Sequence, residues 1–238
     1  MEADRMIHTD PPANHFESEK KVVLEERNQR TENDPRALLG EQMRNMLFTS
    51  HPYANPVVGW MDEIKTYEWR HVKEFYEQWY APNNAIVVIS GDITLEEAKN
   101  LTKKTYGNIT SKELPSRNRP TIPQSIGTVE LALRHESIHQ PSFQRLYLAP
   151  TYSQDMQGSL ALDILQEIMS GGASSRLYKS LVVEKKKAVS IHFSYNGNML
   201  DYGTIYIVAM PAPNVTPKEI ETLIDDEIQK IITESVTE

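Results

Sequence analysis

The sequence contains no cysteine among its 238 residues, which excludes a disulfide framework, a thiolate metal site and a cysteine nucleophile. It also lacks any apolar run approaching the roughly twenty residues a bilayer-spanning helix requires, and no secretory signal pattern is visible. Basic residues are outnumbered. The 25 Lys and Arg against 33 Asp and Glu give a formal charge of -8, which opposes general attraction to nucleic acid or anionic lipid and makes basic peptides better-matched partners. What is present, 39% hydrophobic and 24% charged residues, is the balance of a globular protein able to form one large or two ordinary domains.

The longest stretch without periodic apolar residues runs from Leu114 to Gln124 and holds Pro115, Pro120 and Pro123. It reads as an extended linker. Before it, the pattern predicts helices near 15–30 and 35–49 and a loop from His51-Pro52-Tyr53 to Gly59-Trp60. A third helix carries Val72, Phe75, Tyr76 and Trp79 at i, i+3, i+4, i+7 spacing, and Ala81-Pro82 ends it. Trp79 and Tyr80 read as core, and Ala85–Ser90 as a buried strand. Thr94 and Glu97 form a capping box opening another helix, closed by Gly107. After the linker come expected strands near 127–138 and 143–149, a helix near 154–169 stopped by Gly171-Gly172, and a short helix from Ser174. A hairpin near 188–196 and 203–210 follows, and then a final amphipathic helix capped by Thr216 and Glu219. Hairpins and long helices on both sides of one linker predict an α+β fold in two related units.

Two carboxylates give the chain a candidate chemistry. Glu19 and Glu26 lie seven residues apart, about two helical turns, so they project from one helix face with Val22 and Val23 between them; one can ligate a metal while the other stands behind it. A second metal signature, His135-Glu136-Ser137-Ile138-His139, is literally an HExxH string, which on a helix would set two histidines beside a glutamate base. Its flanks deny it a helix: Val129–Arg134 alternates as a strand does, Pro141 follows closely, and Phe143–Leu148 alternates again. The string therefore reads as a chance match.

The run Glu19-Lys20-Lys21-Val22-Val23-Leu24-Glu25-Glu26, with Phe16, Arg30, Asp34-Pro35 and the later Trp79-Tyr80-Ala81-Pro82-Asn83-Asn84 and Gly91-Asp92, resembles the pitrilysin or M16 family of zinc metallopeptidases, processing-peptidase type. The resemblance implies two LuxS/MPP-like metallohydrolase domains, mostly antiparallel sheets with helices packed on one face, both incomplete here. Residues 1–113 would be the later part of the first domain, 114–125 the Pro-rich linker, and 126–238 the larger part of the second. It implies Glu26 as the third Zn2+ ligand and Glu19 as its supporting residue. The family's other two ligands and its catalytic glutamate belong to an HxxEH motif, and none of the seven histidines lies in one. The chain is thus expected to be a piece of a longer enzyme, inactive alone, and Met1–Met6 resembles a domain interior rather than a natural start.

Many family members carry an arginine and a tyrosine, seven residues apart in the second domain, that hold the substrate backbone and stabilise the tetrahedral intermediate. Val182 and Val189 occupy those places here, and neither can donate a hydrogen bond, an omission worth about 3–4 kcal/mol of barrier at an oxyanion site. The resemblance therefore implies the zinc-bearing subunit of a heterodimer, or else a homodimer. The complete enzyme would cleave unfolded peptides or oligopeptides in an enclosed chamber of a bacterial cytoplasm or periplasm, with no nucleic acid or membrane partner. The rival reading is a non-catalytic structural or substrate-binding member of the family.

Overall fold

The computed structural model describes residues 1–123 and 127–234, so residues 124 and 125 of the expected linker and both ends of the stretch 126–238 lie outside the described residues. Its contacts divide the chain into one unit of Met1–Ala37 and Ser50–Ile122 and another of Leu38–Thr49 and Pro123–Glu238.

Helices dominate the first unit. They are α1 (Glu2–His8) and α2 (Ala13–Arg27), then, after α3 (Pro35–Phe48), whose residues from Leu38 onward belong to the second unit, α4 (Met61–Thr66), α5 (Trp69–Trp79) and α6 (Leu95–Thr105). The cap on α6 has the reciprocal geometry its sequence predicts: the Glu97 amide donates to the Thr94 hydroxyl at 3.3 Å and the Thr94 amide to the Glu97 carboxylate at 2.9 Å. Beyond Arg27 the helix widens into a π turn, Asn28–Glu32. Helices α1 and α4 and this widening carry no signal that the sequence reading used.

Two expectations for this unit fail for one reason. Residues 85–90 form no strand, and Ile86 and Val88 are 91% and 87% exposed. A strand exists through its ladder partners, and among the described residues 85–90 has none. Trp79 is likewise partly exposed rather than core, with the Arg117 guanidinium 5.4 Å from its ring, and Tyr80 is half exposed. The apolar stripe of α5 is correctly periodic but only partly covered: Tyr76 is half-buried and donates to the Arg5 carbonyl, while Phe75 stays 59% exposed.

In the second unit the strands do find partners. β1 (Phe143–Ala149), β2 (Ala188–Asn196) and β3 (Gly203–Pro211) form an antiparallel sheet in the order β1-β3-β2, with Phe143 opposite Ala209 and Ile191 also opposite Ala209 across the other edge. Period-two alternation buries Ile191, Phe193 and Tyr195 of β2 while His192 and Asn196 face outward. A bulge between Ala188 and Ser190 breaks the alternation, leaving Val189 and Ser190 both exposed. Helices α7 (Met156–Ser170) and α8 (Pro217–Glu234) and a π-helical segment, Tyr178–Glu184, supply Met169, Leu181, Ile220 and Ile224 to a core shared with Phe193 and Ile207. Arg145 of β1 fastens α8, reaching Glu221 at 2.8 Å and also Asp225, and these carboxylates hold its charge more firmly than usual. The strand expected at 127–138 is not formed. Its alternation marks two faces, but among the described residues it has no ladder partner, and the chain turns instead between His135 and Ile138.

Glu227 of α8 is buried among donors: Ser180 at 2.7 Å, Lys185 at 2.9 Å and Lys230 at 2.9 Å. Burial disfavours its charge, but the three hydrogen bonds and the nearby ammonium outweigh that and hold its carboxyl down at about 2.

Candidate metal centre

Helix α2 leaves Glu19 and Glu26 accessible while a neighbouring face is anchored. Phe16, Lys20 and Arg27 recur at spacings of four and seven, so they share a face. The Phe16 ring lies 6.2 Å from that of Trp69. Lys20 donates to the carbonyls of Lys65 and Tyr67 at 3.3 and 3.0 Å, satisfying acceptors at the end of α4. Arg27 is the deepest of the three, 2% exposed, with contacts of 2.9 Å to Glu32 and 3.3 Å to the Gly59 carbonyl. Gly59 has φ of +96°, a backbone state suited to glycine, and it marks where the loop turns back toward α2.

Arg27 and Glu32 are five residues apart. On a regular α-helix that spacing separates side chains by about 140°; the π turn brings them into register. A search for i+3 and i+4 pairs passes over this anchor, and the spacing of five between opposite charges is the signal that could have found it.

Glu19 and Glu26 sit one residue before Lys20 and Arg27, about 100° round the helix. Glu19 is exposed, Val22 between them is exposed, and the Glu26 side chain is 43% exposed with an ion pair to Arg30 at 2.9 Å. Such an exposed i,i+4 pair is worth little, about 0.3–0.5 kcal/mol, so a divalent cation could displace the arginine. Glu25, on a different face, accepts hydrogen bonds from Asn28 and Gln29 at 3.3 and 3.4 Å, in keeping with a surface charge.

A hydrolytic zinc site takes three protein ligands and a water. Among the described residues no group of three His, Cys, Asp or Glu side chains stands close enough to hold a metal. Glu26 fits as one ligand of a set; the described residues bring no further ligands beside it. His51 is not a candidate to complete it. It is buried in the loop, where its Nδ1 accepts from the Tyr53 amide at 3.2 Å and its ring meets that of Tyr53 edge-on at 4.5 Å. In the HExxH string, His135 and His139 are both exposed and the backbone is a turn, with His135 Nδ1 bonded to Ser137 at 2.8 Å. Without a helix the two imidazoles lose the one-turn spacing that a zincin site needs.

The family model of the peptidase M16 inactive domain matches residues 70–238. The chain belongs to the peptidase M16 family. It is 30% identical over 227 residues to the zinc protease PqqE of Helicobacter pylori, covering 94% of this chain and 50% of that protein. It is 21% identical over 228 residues to an uncharacterized zinc protease, YmxG, of Bacillus subtilis, covering 93% and 52%. The crystal structure of a protease from Helicobacter pylori superposes with a TM-score of 0.85 at 27% identity, covering 99% of this chain and 57% of that one. The chain thus spans about half the length of the curated relatives it matches. Glu19 and Glu26 precede the stretch matched by the family model. Within that stretch, Val182 packs in the π-helical segment against the core of the second unit, while Val189 lies exposed on β2 at the bulge. Among the described residues no helix is long and apolar enough to cross a membrane.

Proposed function

We propose that this chain is part of an M16 zinc endopeptidase in which Glu26 is a metal ligand and Glu19 supports the site from behind. The observation that carries the reading is the anchored geometry of α2. Phe16, Lys20 and Arg27 fix the helix by one side, and this leaves Glu19, Val22 and Glu26 together on an accessible face. Residues 1–113 are then the later part of a first M16 domain, and 126–238, joined through the Pro-rich stretch 114–125, belong to a second.

Zinc, when bound, supplies a Lewis acid that polarises a scissile carbonyl. Glu26 contributes one negatively charged oxygen donor, and exchanging Arg30 for the metal leaves its carboxylate paired throughout. Glu19, two turns away, would accept a hydrogen bond from a further ligand and fix its orientation. The peptide-binding arginine and tyrosine of the family have no counterpart at Val182 and Val189, so turnover requires a homologous subunit that carries them.

The test is metal analysis of the full-length protein. Glu26→Gln should remove most bound zinc, since one of three protein ligands loses its charge, whereas Glu19→Gln should weaken affinity about 10–100-fold. Full zinc and full turnover in Glu26→Gln would sink the ligand assignment. The matched domain's description as inactive, together with Val182 and Val189, favours a second reading as a non-catalytic family member. That reading predicts no metal in the purified full-length protein and no turnover with any homologous subunit.

A further inference from the structure

Helix α7 sets a stripe of polar side chains against β2. Ser159, Gln166 and Ser170 recur at spacings of seven and four, so they share a face, and each meets that strand. The Tyr195 hydroxyl lies 2.8 Å from the Ser159 hydroxyl, and Gln166 Oε1 accepts from the Tyr195 amide at 2.6 Å. The Ser170 hydroxyl accepts from the Phe193 amide at 3.0 Å and donates to the Phe193 carbonyl at 2.8 Å. Met156, Leu160 and Ile164 of the same helix stay exposed, so apolar burial does not account for the polar stripe. β2 is the last strand in the order β1-β3-β2, and the backbone groups of Phe193 and Tyr195 that α7 engages are those an added strand would bond. Ser170 makes to Phe193 the two-way exchange that a ladder residue makes, and Gln166 supplies the next acceptor along. The repeats match: four helical residues advance about 6 Å and two strand residues about 6.7 Å, so residues 170 and 166 fall opposite 193 and 195.

We infer that α7 acts as a surrogate edge strand: Ser170 and Gln166 occupy the backbone positions on β2 that an extended peptide would otherwise take. A peptide laid along an open sheet edge is held by main-chain hydrogen bonds, which any sequence can make, so an open edge here would hold peptide with little selectivity. Phe193-Ser194-Tyr195 carries no charge and no proline, the residue types that keep other edges from pairing. The two side chains of α7 take over that task, and they do so by satisfying the edge rather than only covering it. Removing them converts a closed edge into a binding edge for extended peptide. The inference concerns the second unit alone and does not depend on zinc.

Hydrogen exchange at the Phe193 and Tyr195 amides of the full-length protein tests it, with a short peptide of alternating Val and Lys as the probe and a chelator present so that no cleavage competes. In the unaltered protein the peptide should leave exchange at both amides unchanged. Ser170→Ala combined with Gln166→Leu should speed exchange at both by about tenfold, the loss of one net hydrogen bond at each. Adding the peptide to that variant should slow both amides again by a similar factor. Ser170→Thr keeps the hydroxyl and should retain the original exchange at Phe193 and refuse the peptide, which separates an opened edge from a helix merely disturbed by substitution. If the double variant does not fold, Ser170→Ala alone gives the same reading at Phe193. Slowing by peptide in the unaltered protein would overturn the inference. So would unchanged exchange after the substitutions, or faster exchange at an edge that still takes no peptide.

Discussion

The two units are of comparable length, yet among the described residues thirteen of the buried apolar side chains lie in the second and three, Ala54, Ile64 and Ala81, in the first. Both units carry strongly periodic helices. In the second, α7 and α8 lie on a sheet whose strands are hydrogen-bonded to one another, so apolar faces meet apolar faces. In the first, Val72 and Phe75 of α5 and the run at 86–89 meet water, and the unit is held by polar anchors such as Arg27 and Lys20. An apolar pattern shows which side of an element wants cover; whether cover exists depends on residues remote in sequence.

This contrast predicts unequal responses to mutation. Ile207→Ala, at a fully buried position in the centre of β3, should destabilise the second unit by about 2–5 kcal/mol, read by urea denaturation. A cost below about 1 kcal/mol would mean that its core is not the rigid one described. Acidification should act on the same unit. Because the folded pKa of Glu227 is depressed to about 2, its contribution is fully present above the unfolded value near 4.5 and is lost as pH falls toward 2. The loss should reach about 3 kcal/mol, and Glu227→Gln should flatten that part of the stability profile.

In the first unit, Arg27→Met should cost about 2 kcal/mol, since it strips the π turn of its ion pair and leaves the Gly59 carbonyl without that donor. Accelerated proteolysis near residues 28–32 and 59 would report it. The smallest effect is expected for Phe75→Ala, within about 0.5 kcal/mol, because an exposed ring has little burial to lose. If Phe75→Ala cost as much as Ile207→Ala in this chain, the contrast between the units would collapse.

What could be read beforehand follows the same division. The hairpin of β2 and β3, the caps of α6 and α8 and the helix bearing Glu19 and Glu26 were legible because local chemistry decides them: turn residues, capping side chains and a seven-residue spacing. The strands expected at 85–90 and 127–138 do not form, because a continuous apolar run in the first and alternation in the second show a need for cover and not a ladder partner. The outward placement of Glu26 could be inferred from the helix period, but its anchor could not, since Arg27 and Glu32 obey a five-residue rule that α-helical reasoning does not contain. His51 belongs to the expected loop, and its burial against Tyr53 gives that loop its physical basis.

The two π-helical segments carry a consequence for how this protein can change over evolutionary time. Each brings together opposite charges five residues apart, Arg27 with Glu32 and Lys179 with Glu184 at 3.9 Å; Glu26 lies just before the first segment and Val182 within the second. Loss of a single codon in a surface loop usually passes unnoticed. Here it would return the segment to α-helical winding, swing everything downstream by about 100° relative to what precedes it, and part the charges. Length at 28–32 and 178–184 should therefore be under tighter constraint than the identity of the residues that fill it, and natural variants should accumulate substitutions there while avoiding insertions and deletions.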